Sequence, residues 1–294
     1  MIFKGCGVAI ATPFNKNGEI DYEYLKKHIE FLIENKTDCI VACGTTGESA
    51  TLTKEEKLAF TEFVVKTVNK RIPVMAGTGS NNTKLAVEMS IEMEKLGVDA
   101  LLVVTPYYNK ATQQGLVQYF KTIANSTNLP IMLYNVPSRT GVNMLPSTVF
   151  ELSKIKNIVA LKEACGDISQ VAEVIALCGD NLHVYTGNDD QILATIAVGG
   201  VGTVSVVANI IPKDIHDMVE EFFKGNVQQA QKMHAKTLGL IKAMFCEVSP
   251  VPVKQALEAM NLGTRHVREP LCEIEPTNKE FLLKQMKEYG GLLC

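Results

Sequence analysis

Short apolar runs alternate with stretches of helical period along the first two-thirds of the chain. The first run is residues 7–13, GVAIATP, closed by Pro13 and an Asn17-Gly18 turn. Asp21 then opens a helix with Leu25, Ile29, Leu32 and Ile33 on one face. Residues 39–44, CIVACG, read as a buried strand that breaks at Gly44. Thr53-Lys-Glu-Glu56 has the form of a capping box for a helix reaching about Asn69. The unit then recurs. Strands are predicted over 72–76, 100–104, 130–134, 158–164, 183–186 and 202–206. Helices are predicted over 83–96, 112–126, from Pro146, and over 168–178 and 190–198.

None of the strand runs alternates apolar with polar, as expected for strands of a parallel sheet covered on both faces. Eight such units over about 210 residues predict an α/β protein with a (β/α)8 TIM barrel. The alternative is an open doubly wound sheet. Against it, no Gly-x-Gly-x-x-Gly follows the first strand, and AGTGSNNT lacks the third glycine. From about Pro212 the pattern is helical to the end, over 213–224, 226–245, 252–261 and 277–289. The first of these closes the barrel and the rest form a C-terminal helical appendage. The expected division is 1–224 for the barrel and 225–294 for the helical domain.

In a barrel, chemistry gathers where strands end. The second strand ends in Gly44-Thr-Thr-Gly-Glu48, the fourth in Tyr107, Tyr108 and Asn109, and the fifth in Tyr134-Asn-Val-Pro-Ser-Arg139. The sixth ends in Lys162-Glu163 and the seventh in Thr186-Gly-Asn-Asp189. Strand alternation puts Ile158, Ala160 and Lys162 on one face. An ammonium aimed the same way as those side chains is costly to desolvate, and an uncharged lysine amine attacks carbonyls. The ordinary reading is a strand-end lysine that reaches water or pairs with Glu163. Thr45 and Thr46 suit an ordinary turn, Tyr134 a satisfied core tyrosine and Arg139 a solvated loop charge. Their convergence on one rim supplies an amine, hydroxyl and phenol proton carriers and a guanidinium fork.

Composition narrows the classes. The chain has 294 residues, 46% of them apolar, and a net charge of -3. With no basic block it carries no nucleic-acid footprint. No apolar run approaches the roughly 20 residues of a membrane span, and the N-terminus does not read as a signal peptide. Eight cysteines without a Cys-x-x-Cys pair, with Cys6, Cys39, Cys43 and Cys165 beside apolar runs, read as small buried hydrophobes in a reducing cytosol. No zinc spacing is present.

The segments 44–49, 105–109, 134–141 and 158–164 closely resemble the dihydrodipicolinate synthase family. The resemblance runs through the whole chain and includes Pro250-Val-Pro-Val-Lys254 in the tail. The lysine strand and the Gly-Thr-Thr-Gly-Glu turn belong to the wider pyruvate-dependent class I aldolases, among them N-acetylneuraminate lyase and 2-keto-3-deoxy sugar acid lyases. Arg139 in Ser-Arg-Thr-Gly is the more specific sign, because it suits a small acidic aldehyde. The resemblance implies that Lys162 forms an imine with pyruvate and that its enamine adds to L-aspartate 4-semialdehyde, on the diaminopimelate route to L-lysine. It gives Tyr134, Thr45 and Tyr108 to a proton relay, with Tyr108 acting across a subunit interface. Thr46 and the backbone at Val204 hold the pyruvate carboxylate, Arg139 takes the aldehyde's carboxylate, and Gly187 leaves room beside the imine. It implies no metal or other cofactor, a cytoplasmic homotetramer built as a dimer of dimers, and no nucleic-acid or membrane partner. A lyase taking another aldehyde and a non-catalytic metabolite-binding barrel are the alternatives.

The resemblance also bears on feedback. Lysine-sensitive members bind L-lysine in a cleft at the dimer interface, and Ser49, Ala50, Asn81 and Tyr107 fit that site. Leu85 stands where those members carry a glutamate, and Lys57 where they carry a histidine or an acid. Weak or absent inhibition is therefore expected.

Overall fold

The structure is a computed structural model that describes residues 1–293. Eight parallel strands pair in sequence order and close on themselves: β1 (Gly5–Ala9), β2 (Cys39–Ala42), β3 (Val74–Gly77), β4 (Ala100–Val104), β5 (Ile131–Asn135), β6 (Ile158–Glu163), β7 (His183–Thr186) and β8 (Gly202–Ser205). The closed barrel excludes the open-sheet alternative. Most strands are apolar on both faces because each face has its own core. In β2, Cys39 and Val41 join the lumen cluster while Ile40 and Ala42 join the shell under the helices. The same split separates Ala100 and Leu102 from Leu101 and Val103 in β4.

The helices follow the predicted order: α1 (Tyr22–Glu34), α2 (Lys54–Val68), α3 (Thr83–Lys95), α4 (Gln113–Ala124), α5 (Pro137–Thr140), α6 (Pro146–Leu152), α7 (Ile168–Cys178), α8 (Ile192–Ala197), α9 (Pro212–Phe223), α10 (Val227–Met244), α11 (Val251–Ala259) and α12 (Pro276–Tyr289). Asp21 caps α1 by accepting the Glu23 and Tyr24 N–H groups, and Thr53 and Glu56 form the capping box of α2. Leu25, Ile29 and Leu32 are buried as the period requires. So is His28, whose Nε2 pairs with the Asn209 carbonyl at 3.0 Å. In the tail, α10 packs against both α9 and α12. Among the described residues, no helix is long and apolar enough to cross a membrane.

Three expectations need correction. The first strand spans Gly5–Ala9 rather than 7–13; past it the Ile10 N–H still reaches the Val41 carbonyl at 3.1 Å, and the chain on to Pro13 stays buried outside the strand. Ile158 does not share a face with Lys162. Ile131 pairs with Ile158 and Met132 with Ala160, so β6 bulges by one residue at Val159. The bulge sends Ile158 into the shell and Ala160 into the lumen. Cys165 is only half-buried, unlike Cys6, Cys39 and Cys43, because it lies past the strand end. All seven cysteines among the described residues are free.

Candidate active site

The C-terminal ends of β2, β5, β6 and β7 meet α5 and the segment after α10 around a cavity of about 210 Å³. Thr45, Thr46, Tyr134, Arg139, Lys162 and Gly187 all line it. Tyr134 and Lys162 are register partners across β5 and β6, so both side chains enter from adjacent strands at one level. Lys162 is 6% exposed, and its Nζ lies 4.4 Å from the centroid of the Tyr134 ring. A Cβ on Gly187 would come within 2.7 Å of Lys162 Cε, so the missing side chain is what leaves the lysine its space. Glu163 is no partner of the ammonium. Its oxygens accept from Asn135 Nδ2, the Cys165 N–H and Gln170 Nε2 on the other side of the strand. An amine held against a ring face in a small cavity is suited to attack a carbonyl carbon.

The Thr45-Thr46 turn is fixed from behind. Its N–H groups at Gly47 and Glu48 close onto the Gly44 and Thr45 carbonyls at 3.1 and 3.0 Å, and Thr12 Oγ1 donates to the Gly47 carbonyl at 2.7 Å. Glu48, at φ 52°, turns its carboxylate into the protein. There Lys254 of α11 donates to it at 2.5 Å, with both side chains 1% exposed. The Arg268 N–H donates to the other oxygen at 3.0 Å. Burial pulls the Lys254 ammonium down to about 8, against the opposing pull of the Glu48 carboxylate. The turn that carries Thr45 and Thr46 is thus bolted to the helical tail by a buried ion pair.

Arg139 is exposed at the mouth, on the short helix α5, and its Nη2 approaches the Ser249 carbonyl at 3.4 Å. Asp189 is fully buried beside the cavity and accepts the Val206 and Val207 N–H groups at 3.1 and 2.8 Å. Burial drives its carboxyl upward.

Two predicted site residues are not in the wall. Tyr108 is 90% exposed at φ 75°, on the outside of the protein. Val204 is fully buried in the lumen cluster, and Val206 lines the cavity instead. The sequence reading missed Ser138, Asn188, Phe245 and Ser249. The first two sit within noted strand-end segments. Phe245 and Ser249 arrive from the tail, where no local pattern marks them. His216, Asp217 and Glu220 of α9 lie close enough together to hold a cation. They pair instead with Asp38, with Lys36 and Lys213, and with Lys224.

A second hollow, a cleft of about 280 Å³, shares Thr45 and Tyr134 with the cavity. Ser49, Lys54, Lys57, Leu85, Glu88 and Tyr107 are among the residues that line it. Ala50 and Asn81, predicted for this site, are exposed and do not line it.

Comparison with known proteins agrees with this geometry. A family model described as the dihydrodipicolinate synthetase family matches residues 2–289. A protein of Clostridium acetobutylicum named 4-hydroxy-tetrahydrodipicolinate synthase 1 is 50% identical over 289 residues, covering 98% of each chain. A solved structure described as the first monomeric dihydrodipicolinate synthase variant is 40% identical, with a TM-score of 0.96 over 98% of this chain and 97% of its own. The Cyanidioschyzon merolae enzyme, solved with lysine bound, is 38% identical with a TM-score of 0.96 over 98% of each chain.

Proposed function

The chain belongs to the dihydrodipicolinate synthetase family, and from that premise we propose how its own residues carry the reaction. The protein is a 4-hydroxy-tetrahydrodipicolinate synthase in activity: a lyase that condenses pyruvate with L-aspartate 4-semialdehyde in the diaminopimelate route to L-lysine. Lys162 Nζ attacks the pyruvate ketone, and water leaves as the imine forms. Loss of a methyl proton gives the enamine, whose carbon adds to the aldehyde. The amine of the new chain then attacks the imine carbon and expels Lys162, closing the ring.

Each step moves a proton. Tyr134, against Lys162, is the central donor and acceptor, and Thr45 stands next to it on the shared wall. Thr46, in the cavity wall, holds the pyruvate carboxylate. Arg139 at the mouth takes the aldehyde substrate's carboxylate through paired N–H donors. The observation that carries this reading is Lys162 itself, held 4.4 Å from the Tyr134 ring in a cavity that Gly187 keeps open. Borohydride reduction with pyruvate is expected to leave one adduct per chain on the peptide carrying Lys162. An adduct on another lysine, or none, would overturn it.

Tyr108 completes the relay from a second subunit, which its exposure allows. The working form is therefore a homo-oligomer, a tetramer assembled as a dimer of dimers, in the cytoplasm. The chain divides into a barrel domain, 1–224, and a helical domain, 225–294. Sedimentation at assay concentration tests the assembly, since a fully active monomer removes Tyr108 from the relay.

A further inference from the structure

Tyr134 and Lys162 each have a neighbour on the opposite strand face, and those neighbours are joined. Asn135 and Glu163 are the last register pair of β5 and β6, 0% and 1% exposed. Asn135 Nδ2 donates to both Glu163 oxygens, at 2.9 and 3.1 Å, and to Asn143 Oδ1 at 2.8 Å. The Cys165 N–H gives Glu163 Oε1 a further bond at 2.9 Å, and Gln170 Nε2 gives Oε2 one at 3.2 Å. Gln170 and Asn143 are themselves paired, with Asn143 Nδ2 donating to Gln170 Oε1 at 2.7 Å. The Met144 N–H closes the other side of Asn135 at 3.0 Å. One acid and three amides form a closed network in which every group facing the acid donates. That is the geometry of an ionised carboxylate.

Such a network is a costly way to fill a shell. Burial pushes the Glu163 carboxyl upward, and the surrounding donors only partly offset that. An apolar pair would seal the same space with less desolvation. The strand is also irregular: the bulge at Val159, three residues before Lys162, bends and twists β6 before the ladder resumes over Ala160–Glu163, so the bearing of its end is not set by regular pairing alone. Inward and outward side chains share one backbone, so rotation of the β6 end about its axis moves Lys162 and Glu163 together.

We propose that Asn135 and Glu163 are positioning residues, a buried clamp on the outer face of β5 and β6 that sets where Lys162 Nζ lies relative to Tyr134. The proposal rests on the reading of Lys162 as the imine-forming residue. Neither clamp residue lines the cavity.

Glu163→Gln keeps the shape and removes the charge, forcing an amide N–H₂ toward groups that already donate. It is expected to fold and to trap pyruvate on Lys162 fully at saturation. Its kcat and its rate of imine formation are expected to fall about 10- to 100-fold, the scale of a small misplacement of a reacting group. The KM for the aldehyde is expected to stay near its original value. In the double variant Glu163→Gln with Asn135→Asp, the acid and amide trade places, and most of the side-chain bonds can be remade by turning the Asn143 and Gln170 amides together, at the loss of the long Gln170–Met144 carbonyl bond and of one of the two contacts between positions 135 and 163. Recovery of most of the lost kcat, at a temperature well below melting, is the expected rescue. Should Glu163→Gln fail to fold, Gln170→Ala removes one donor from the half-buried edge of the network and is expected to lower kcat about threefold or more. Unaltered kcat and pH profile in whichever of these variants folds overturns the clamp. Absence of a trapped adduct on Lys162 in the unmodified protein overturns the catalytic reading instead, so the two failures are distinct.

Discussion

Two hollows share the Thr45 and Tyr134 wall, and their opposite linings teach what each can hold. The rim cavity gathers one buried amine, a guanidinium at the mouth and hydroxyls between them, a set matched to a keto acid and an acidic aldehyde. The cleft on the other side of the turn presents Lys54 and Lys57 on one wall, with Leu85 and Glu88 on another. Glu88 is already approached by Lys84 at 3.9 Å. The cavity is fixed from two directions, by the Asn135–Glu163 network behind its amine and by the Glu48–Lys254 pair behind its turn. Lys54 and Leu85 of the cleft are exposed side chains with no such backing. The same loop therefore builds a chemical site backed by buried polar groups on one face and a lysine-lined cleft on the other.

The largest break in that contrast is Lys162→Ala. Turnover is expected to vanish while the melting profile stays within about 1 kcal/mol of the original, since a truncated rim side chain leaves little cavity. Calorimetry beside a coupled assay checks both halves. Lys254→Ala should instead damage both hollows at once. It strands the Glu48 carboxylate in a dry interior, and removing one partner of a buried pair costs about 3–5 kcal/mol. Urea denaturation is expected to show that loss, and activity should fall with loosening of the Thr45-Thr46 turn. Unchanged stability would mean that the Arg268 N–H alone satisfies Glu48.

Arg139→Ala comes next. Arg139 is exposed and, among the described residues, hydrogen-bonds the Ser249 carbonyl alone, so its fork is available to a substrate carboxylate. Losing a charge-assisted bond pair costs about 1.5–3 kcal/mol, roughly 10- to 150-fold in kcat/KM for the aldehyde. Pyruvate trapping on Lys162 should be nearly unaffected. An equal loss in both would place Arg139 at the pyruvate end. A better turnover of unmodified protein with N-acetylmannosamine than with the semialdehyde would replace the acceptor reading altogether.

The barrel was legible because eight apolar runs without alternation, each followed by helical period, have few other solutions. The cavity lining was legible where polar side chains sit at strand ends, as at Lys162, Tyr134 and Thr45. What escaped has physical reasons. A bulge adds one residue to a strand without a composition mark, so Ile158 was given the wrong face. The four-residue helix carrying Arg139 is too short to show a period. Phe245 and Ser249 reach the cavity from more than a hundred residues along the chain from Arg139, a tertiary contact that no local pattern encodes. Glu163 was read against Lys162, its chain neighbour, when alternation turns it to Asn135.

The smallest expected effect concerns the cleft and L-lysine. The C. merolae relative was solved with lysine bound, so the question for this chain is whether its own cleft can take an amino acid with a second ammonium. Ser49 and Tyr107 line that cleft. Leu85, however, offers no carboxylate to the effector's amine, and half-buried Lys57 adds a like charge. Loss of one charge-assisted bond costs about 1.5–3 kcal/mol, and each 1.4 kcal/mol is about tenfold in affinity. Repulsion from Lys57 adds to this, though salt screens it in an open groove. Millimolar L-lysine is therefore expected to inhibit weakly or not at all. Leu85→Glu should sharpen the difference, because it restores an acid beside Glu88 and offsets Lys57, and sensitivity should rise about tenfold or more. Sub-millimolar inhibition of the unmodified protein would show that Glu88 or another acid already takes the ammonium, and that the two hollows differ less in charge than their linings indicate.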